Sequence, residues 1–270
     1  MVQRGLSKVF YSETCNRQSF IESIFDIFKK PVLKATKIFV KPNIVSYETY
    51  PTTTHAEVLD TVLGQLKGHE IVVGDAPAID AGRSDKILHK SPLRKVCEDH
   101  NVKLVNLYSG KMKAVKGPRG YSIRVSALPL ACDYVISLPV LKVHHNVGLS
   151  GALKNQFGYL SRRDRLFMHC RVKSLRKGIV EVNAAIPTDL FIVDAVETMI
   201  RAQECRHGGC SASLGVMIAG TDPVSIDLFG LQLLTDLEPN YGEKNRKALE
   251  YVEYASSIGL GSKTFETEKI

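Results

Sequence analysis

Residues 133–158 read DYVISLPVLKVHHNVGLSGALKNQFG and contain the strand around which the rest of the chain is organised. The run Tyr134–Leu138 is almost continuously apolar, a pattern typical of a short strand that is buried on both faces of a parallel sheet. Pro139 marks the end of that strand, because proline cannot donate a hydrogen bond to a neighbouring strand. The sequence therefore predicts a central parallel strand here.

Cationic and amide side chains follow this strand within a short span. They are Lys142, His144, His145, Lys154 and Asn155. Residues 148–153 are mostly small and lead into a predicted helix that presents the last two of these side chains. Helix N–H groups and side-chain donors then point in the same direction, which suits an anionic or carbonyl ligand.

Several spaced motifs of this chain occur together in one protein family. They are VKPN at 40–43, VVGDAP at 72–77, LPVLKVH at 138–144, GALKNQFG at 151–158, FIVDAVETM at 191–199, AGTDPVSID at 219–227 and GLG at 259–261. On these motifs, the chain resembles the family described as domain of unknown function 362, over roughly residues 37–261.

The resemblance to this family admits a redox role. Some members look like iron–sulfur proteins with an added ferredoxin-type cluster domain. The present chain has no CxxCxxC run, so the resemblance alone implies no cluster.

The remaining periodicity alternates between strands and helices. Strands are predicted at 8–11, 37–40, 70–74, 102–107, 134–138, 189–193 and 214–219, and helices at about 19–30, 52–67, 91–100, 222–235 and 243–257. Pro31 is expected to stop the first helix, Thr52, Thr53 and Thr54 to cap the second, and residues 110–124 to form a hairpin or surface loop. This alternation predicts an α/β fold with a largely parallel sheet, helices on both faces and a single compact domain over 1–270.

Polar side chains come directly after several of the predicted strands. They are Lys41, Asn43, Asp75, Lys142, His144 and Asp194. Ligands of open α/β sheets bind beyond the carboxyl ends of the strands, so we expect these side chains to converge on one crevice. Lys142, His144, Lys154 and Asn155 would face the ligand, and Lys41, Asn43, Asp75 and Asp194 would line its wall. The alternative is that some of them only cap loops or helices, as expected for Asp222 at its helix start.

Absent motifs narrow the chemistry without naming a reaction. The chain has no GxGxxG after a strand, no GxxxxGK[ST] and no GxSxG, which disfavours the usual dinucleotide, P-loop and nucleophile-elbow sites. Lysine and histidine can bind an oxyanion or carboxylate while a suitably placed group moves a proton. Whether the protein is an enzyme stays open from the sequence.

The composition is that of an ordinary globular protein. Among 270 residues, 44% are hydrophobic and 24% are charged, and no run of about 18 apolar residues predicts a membrane span. The first residues lack the apolar stretch of a secretory signal, and the six cysteines show no repeating spacing. We therefore expect a cytoplasmic protein whose cysteines are mostly free thiols.

The net charge of +8 is concentrated in one segment, residues 161–177. This basic segment contains Arg162, Arg163, Arg165, Arg171, Lys173, Arg176 and Lys177 against the single acid Asp164. Nucleic acid, a phosphorylated substrate or an acidic protein are partners that such a segment can attract. The alternative is a solvent-exposed helix face beside the site.

A second cluster of reactive side chains is CRHGGC at residues 205–210. Cys205, His207 and Cys210 are candidate ligands of zinc or of an iron–sulfur cluster, which His169 and Cys170 could complete. The spacing matches no standard motif. A reversible disulfide and a loop over the pocket are the other interpretations.

Three functional hypotheses remain at this stage. The first is an enzyme or enzyme-associated protein that binds a small anionic or carbonyl ligand at the strand ends, with a redox role admitted. The second is a nucleic-acid-binding module that uses the basic segment, for which a steep salt dependence is expected. The third is an interaction subunit without chemistry of its own.

Overall fold

An eight-stranded sheet forms the centre of the computed structural model, which describes residues 6–238 and 241–270. The strands are β1 Ser7–Glu13, β2 Lys37–Pro42, β3 Glu70–Asp75, β4 Lys103–Asn106, β5 Met112–Lys116, β6 Ser122–Ser126, β7 Tyr134–Leu138, β8 Lys142–His144, β9 Gly148–Ser150, β10 Leu190–Ile200, β11 Cys210–Gly220 and β12 Phe265–Lys269. The helices are α1 Arg17–Ile27, α2 Lys29–Lys34, α3 Ala56–Gln65, α4 Ser84–Lys90, α5 Pro92–Asp99, α6 Ala152–Asn155, α7 Arg162–His169, α8 Leu175–Ala185, α9 Pro223–Leu237 and α10 Gly242–Ser257.

The main sheet has the strand order β12-β1-β11-β10-β7-β2-β3-β4. β10, β7, β2, β3 and β4 are parallel neighbours, and β11 runs antiparallel to both β10 and β1. β7 lies between β10 and β2, with Val40 paired to Ile136. The chain builds outward from β2 to β4 and then returns to the other side of β2 to form β7. The strand order therefore reverses direction at β2 and β7, which is where open α/β sheets form their ligand crevice.

Helices cover both faces of this sheet because its strands are apolar on both sides. Ile38 and Val40 of β2 pack with α1, α3, α4 and α5 on one face. Phe39 points to the other face, where α8, α9 and α10 pack. Successive strand residues point to opposite faces, so one apolar run supplies two cores. The predicted α/β class with a largely parallel sheet is confirmed.

Two predicted helix boundaries were wrong. Pro31 does not stop a helix, since the break falls at Phe28 and Pro31 lies in the first turn of α2, where the missing N–H breaks no intrahelical bond. The cap of α3 is His55, whose side chain accepts from the Glu57 amide. Thr54 instead donates from its hydroxyl to the Leu138 carbonyl at 2.7 Å, which ties the β2 loop to the end of β7.

Other local elements agree with or add to the expectations. Of the hairpin or surface loop expected at residues 110–124, the structure has the hairpin, which is formed by the antiparallel strands β5 and β6 and extends to Ser126. The edge strand β12 was not predicted, because its sequence FETEK is mostly exposed and has no apolar run. It pairs in parallel with β1, so strands near both ends of the chain join one sheet. No helix in the described ranges is long and apolar enough to cross a membrane.

Candidate functional site

A cavity of about 280 Å³ lies at the carboxyl ends of β2, β3 and β7, where the strand order reverses. Seven of the eight predicted ligand-facing and wall residues line it: Lys41, Asn43, Asp75, Lys142, His144, Lys154 and Asn155. We call this space the first cavity. Its size suits a small molecule, since ligand pockets typically span about 300 to 1,000 Å³.

The floor of the first cavity is a buried ion pair between Lys41 and Asp75. The Lys41 ammonium donates to Oδ1 of Asp75 at 2.6 Å, and the Asp75 carboxylate also accepts from the Ile44 and Ala76 amides. Burial lowers the pKa of Lys41, while the Asp75 charge acts in the opposite direction. A Cβ at Gly158 would overlap the pair, so a glycine is needed for this close approach.

Two amide side chains form hydrogen bonds with the residues around this ion pair and with the loop that follows β2. Nδ2 of Asn155 donates to the Ser137 hydroxyl at 2.9 Å, and its Oδ1 lies 3.5 Å from the Lys41 ammonium. Nδ2 of Asn43 donates to the Thr52 carbonyl at 2.9 Å. Both amides therefore hold the framework of the cavity as well as lining it.

Lys142 enters the first cavity from β8. Its side chain is 1% exposed, and its ammonium donates to the Thr52 carbonyl and lies 3.5 Å from the Pro51 carbonyl. It forms no ion pair with any residue in the described ranges. Burial lowers the pKa of Lys142 to about 7, although the charges of Glu204 and Glu48 oppose the shift.

Lys154 reaches the same cavity from α6. Its ammonium lies 4.2 Å from the ring centroid of Phe157 and forms no ion pair within residues 6–238 and 241–270. Burial lowers the pKa of Lys154 to about 7, and repulsion from Arg165 and Lys41 adds to the shift. Lys142 and Lys154 are thus two amines near their charge transition at neutral pH, with no carboxylate bound to either.

The position of Lys154 depends on Asp227, which sequence reasoning did not place at the site. The Asp227 carboxylate accepts from the Ala152 amide at 2.6 Å and the Leu153 amide at 3.1 Å, which fixes the start of α6. Burial raises the pKa of Asp227 to about 7, although these amides oppose the shift. The sequence did contain a signal for Asp227, because it is an acidic residue on the buried face of the largely apolar helix α9.

His144 presents one defined nitrogen to the first cavity. Its Nδ1 accepts from the Asn146 amide at 3.2 Å, so in the neutral ring the proton is on Nε2. Burial, together with the Lys154 charge, holds the pKa of His144 well below its usual range. The ring of His145 stacks on His144 with centroids 5.5 Å apart. Nε2 of His144 is therefore a hydrogen-bond donor on a neutral ring that lines the cavity.

Arg165 also lines the first cavity, although the sequence placed it in the basic segment. Its guanidinium is buried, donates to the Ala76 carbonyl at 2.7 Å, and lies 5.1 Å from the ring centroid of Phe157. Ser161 caps α7 by accepting from the Asp164 amide, which turns Arg165 inward. The interpretation of this segment as one exposed basic face was therefore wrong at Arg165.

Asp194 does not line the first cavity, contrary to expectation. Strand β10 continues past the predicted end to Ile200, so Asp194 lies inside a strand. Its buried carboxylate accepts from Nε of Arg17 at 2.7 Å and from the Tyr50 hydroxyl at 2.8 Å. Asp222, in contrast, caps α9 as predicted by accepting from the Val224 and Ser225 amides.

Cys205, His207 and Cys210 are not arranged as metal ligands. Within the described residues, no three histidine, cysteine or acidic side chains form a group that could hold a metal ion. Nδ1 of His207 lies 2.8 Å from Nε2 of Gln203, and its Nε2 lies 3.4 Å from the Asp80 carboxylate. Cys205 and Cys210 are free thiols. This loop contributes Gln203, Glu204 and His207 to the edge of the first cavity instead.

Comparison with known proteins identifies the family. The family described as domain of unknown function (DUF362) matches residues 38–232. The chain belongs to this family. A thylakoid-associated protein of Synechocystis sp. is 24% identical over 220 residues, which cover 78% of this chain and 66% of that protein.

Alignment with solved structures gives one similar fold and one weaker match. The lactate racemase apoprotein from Thermoanaerobacterium thermosaccharolyticum aligns with a TM-score of 0.54 and 13% identity, covering 85% of this chain and 57% of that one. A protein from Thermotoga maritima aligns with a TM-score of 0.45 and 15% identity, covering 91% of this chain and 60% of that one. The DUF362 chain therefore spans little more than half of the lactate racemase chain, and the likeness to it concerns the fold.

Proposed function

We propose that this DUF362 protein is an enzyme that binds a small carboxylate or carbonyl compound in the first cavity and moves a proton on it. The observation that carries the proposal is the pair Lys142 and Lys154. Both amines face one cavity at the strand ends, and neither forms an ion pair within the described part of the chain. Buried charges are normally paired, so unpaired lysines favour an anionic ligand as the missing partner.

The charge distribution supports an anionic ligand. Asp75 neutralises Lys41, whereas Lys142, Lys154 and Arg165 form no ion pair within the described residues. A single carboxylate could accept from both Lys142 and Lys154, while Nε2 of His144 donates to a hydroxyl or carbonyl oxygen. This combination of donors suits a 2-hydroxy or 2-oxo acid.

The lysine pKa values support proton transfer. A general acid or base works best when its pKa lies near the working pH, and burial lowers the pKa of Lys154 to about 7. When Lys142 alone holds the carboxylate and Lys154 is neutral, Lys154 would accept a proton from the carbon beside the ketone of a 2-oxo acid, and the resulting ammonium would return it. The name of the structural neighbour, lactate racemase, makes lactate the first 2-hydroxy acid to test.

The test is calorimetric binding of lactate and pyruvate to the wild type and to Lys142→Met and Lys154→Met. Each substitution removes a charge-assisted hydrogen bond worth about 1.5 to 3 kcal/mol, so affinity should fall at least about tenfold. Lys177→Met is the matched control, because Lys177 is exposed and does not line the cavity. Deuterium exchange from D₂O into bound pyruvate tests proton transfer. Absence of binding, or binding that is equal in all variants, would exclude the proposal.

The location and cofactor of the protein remain expectations. All six cysteines are free thiols, which is typical of a reducing compartment and supports a cytoplasmic location. The residues present do not fit a zinc or iron–sulfur site at 205–210, so no step of the proposed reaction is assigned to a metal.

A further inference from the structure

A second cavity, of about 520 Å³, adjoins the first. The two cavities share His145, Asn146 and His169 in their walls. The second cavity opens between the end of α7, the start of α8 and one face of α10. The two cavities are therefore direct neighbours.

The second cavity is strongly cationic. Arg171, Lys173, Arg176 and Lys247 line it, and its described lining includes no acidic residue. Three of these side chains have carboxylate partners, which are Asp164 for Lys173, Glu250 for Arg176 and Glu243 for Lys247. None of these three carboxylates is among the residues that line the cavity.

Several donors in the second cavity are free to bind a ligand. The Arg171 guanidinium has no hydrogen-bond or ion-pair partner among the described residues. Nε of Arg176 is buried and likewise has no partner in the described part of the chain. Ser174 and Leu175, the cap and first residue of α8, also line the cavity, so the N-terminus of α8 borders the same space.

We propose that the second cavity binds the phosphate group of a ligand whose carboxylate or carbonyl end occupies the first cavity. The assignment of a carboxylate or carbonyl end to the first cavity rests on the proposed function. A phosphate carries about two negative charges and several acceptor oxygens, which match arginine forks and lysines better than a single carboxylate does. The ligand class thereby narrows from a small acid to a phosphorylated acid or carbonyl compound.

The arrangement favours a small ligand over nucleic acid. The cations are gathered around a concave space that adjoins the first cavity. Arg162 and Arg163, the exposed arginines at the start of the basic segment, lie outside both cavities. A nucleic-acid surface would use such exposed residues, since phosphate contacts there spread along the backbone.

The experiment compares pyrophosphate binding by two variants that each lose two positive charges. Arg171→Gln with Lys247→Gln removes cations of the second cavity, whereas Arg162→Gln with Arg163→Gln removes cations outside it. We expect the first variant to bind pyrophosphate at least about tenfold more weakly than the wild type, and the control to bind it within about twofold. Equal losses in the two variants would overturn the site, because they would reflect only the general charge. A single-stranded oligonucleotide that displaces pyrophosphate and depends on Arg162 and Arg163 would overturn it in favour of nucleic acid.

Further probes separate this inference from the proposed function. Lactate should bind Arg171→Gln with Lys247→Gln as it binds the wild type, while 3-phosphoglycerate should bind the wild type more tightly than lactate does and lose that advantage in the variant. If the wild type binds lactate and 3-phosphoglycerate with equal affinity, the inference that the ligand is phosphorylated is wrong. If lactate binding fails but pyrophosphate binding depends on Arg171 and Lys247, the phosphate site stands and the function proposed for the first cavity does not.

Discussion

Two polar clusters near the strand ends differ in how their charges are satisfied. Around Asp194, the carboxylate is fully buried and accepts from Arg17 and Tyr50, so the cluster is closed. In the first cavity, Lys142 and Lys154 are bonded to no carboxylate within the described residues. Both clusters follow apolar strand sequences, and both contain residues predicted for the site.

The difference shows that position after a buried strand does not by itself identify a ligand site. An acid such as Asp194 can form a buried ion pair with a neighbouring arginine, and it then contributes to the stability of the fold and not to a ligand site. An amine such as Lys154, which faces a cavity and has no carboxylate partner among the described residues, costs stability and would gain a partner in the proposed ligand. The useful criterion is therefore the set of charges left unpaired, and it is available only from the three-dimensional structure.

The largest expected effect is the loss of the closed cluster. Asp194→Ala should lower the free energy of unfolding by about 3 to 5 kcal/mol, because it leaves the buried Arg17 without its main partner. Glu57→Ala is the control, since Glu57 is the more distant and more exposed partner of Arg17 at 3.7 Å. Its cost should be below about 1 kcal/mol. Urea unfolding followed by circular dichroism measures both, and equal costs would show that Asp194 is not structural.

Arg165 provides the next test, because it lines the first cavity and also donates a hydrogen bond to a backbone carbonyl of the protein. Arg165→Gln should destabilise the fold by about 1 to 3 kcal/mol, since the Ala76 carbonyl loses a buried donor. Arg162→Gln, which alters an exposed residue three positions earlier, should change stability by under about 0.5 kcal/mol. Thermal unfolding measures the stability of both variants. Equal stability would mean that Arg165, like Arg162, is an exposed residue of the basic segment.

The fold was predictable because the apolar runs at β2, β3, β7 and β10 are continuous and are separated by segments with helical periodicity. The same physics explains the failures. β12 has no apolar run, and its place at the edge comes from pairing with β1. The end of β10 was misjudged at Asp194, because a buried charge interrupts the pattern although the strand continues.

The site was predictable in part for a different reason. Lys41, Asp75 and Lys142 follow strands, and the strand order places these strand ends together. Arg165 and Asp227 could not be found in this way, since each belongs to a helix whose docking is set by packing far along the chain. The cap that turns Arg165 inward and the amides that Asp227 binds become visible only when the helices are in place.

The pH dependence of ligand binding tests whether the unpaired lysines of the first cavity bind the anion. Burial lowers the pKa of Lys142 and of Lys154 to about 7, so the ammonium forms disappear above neutral pH in the free protein. Affinity for lactate should therefore fall at least about tenfold between pH 7 and pH 8.5, a loss of at least roughly 1.4 kcal/mol. Calorimetry across this range measures the fall. An affinity that is constant up to pH 9 would mean that neither ammonium contacts the anion.

The smallest expected effect is on the stability of the protein that lacks Lys154. The folded-state pKa of Lys154, about 7, lies below its ordinary value of 10.5. Between these two pH values the unfolded chain holds a proton that the folded protein does not, so this group makes stability rise with pH across that window. Lys154→Met removes the group and should flatten the rise, and it should not lower stability at pH 7 by more than about 1 kcal/mol. Urea unfolding at pH 7 and pH 9 provides the measurement, with Lys177→Met as the exposed control. A loss as large as that of Asp194→Ala would show that Lys154 is satisfied within the fold, and the distinction between the closed cluster and the first cavity would then fail.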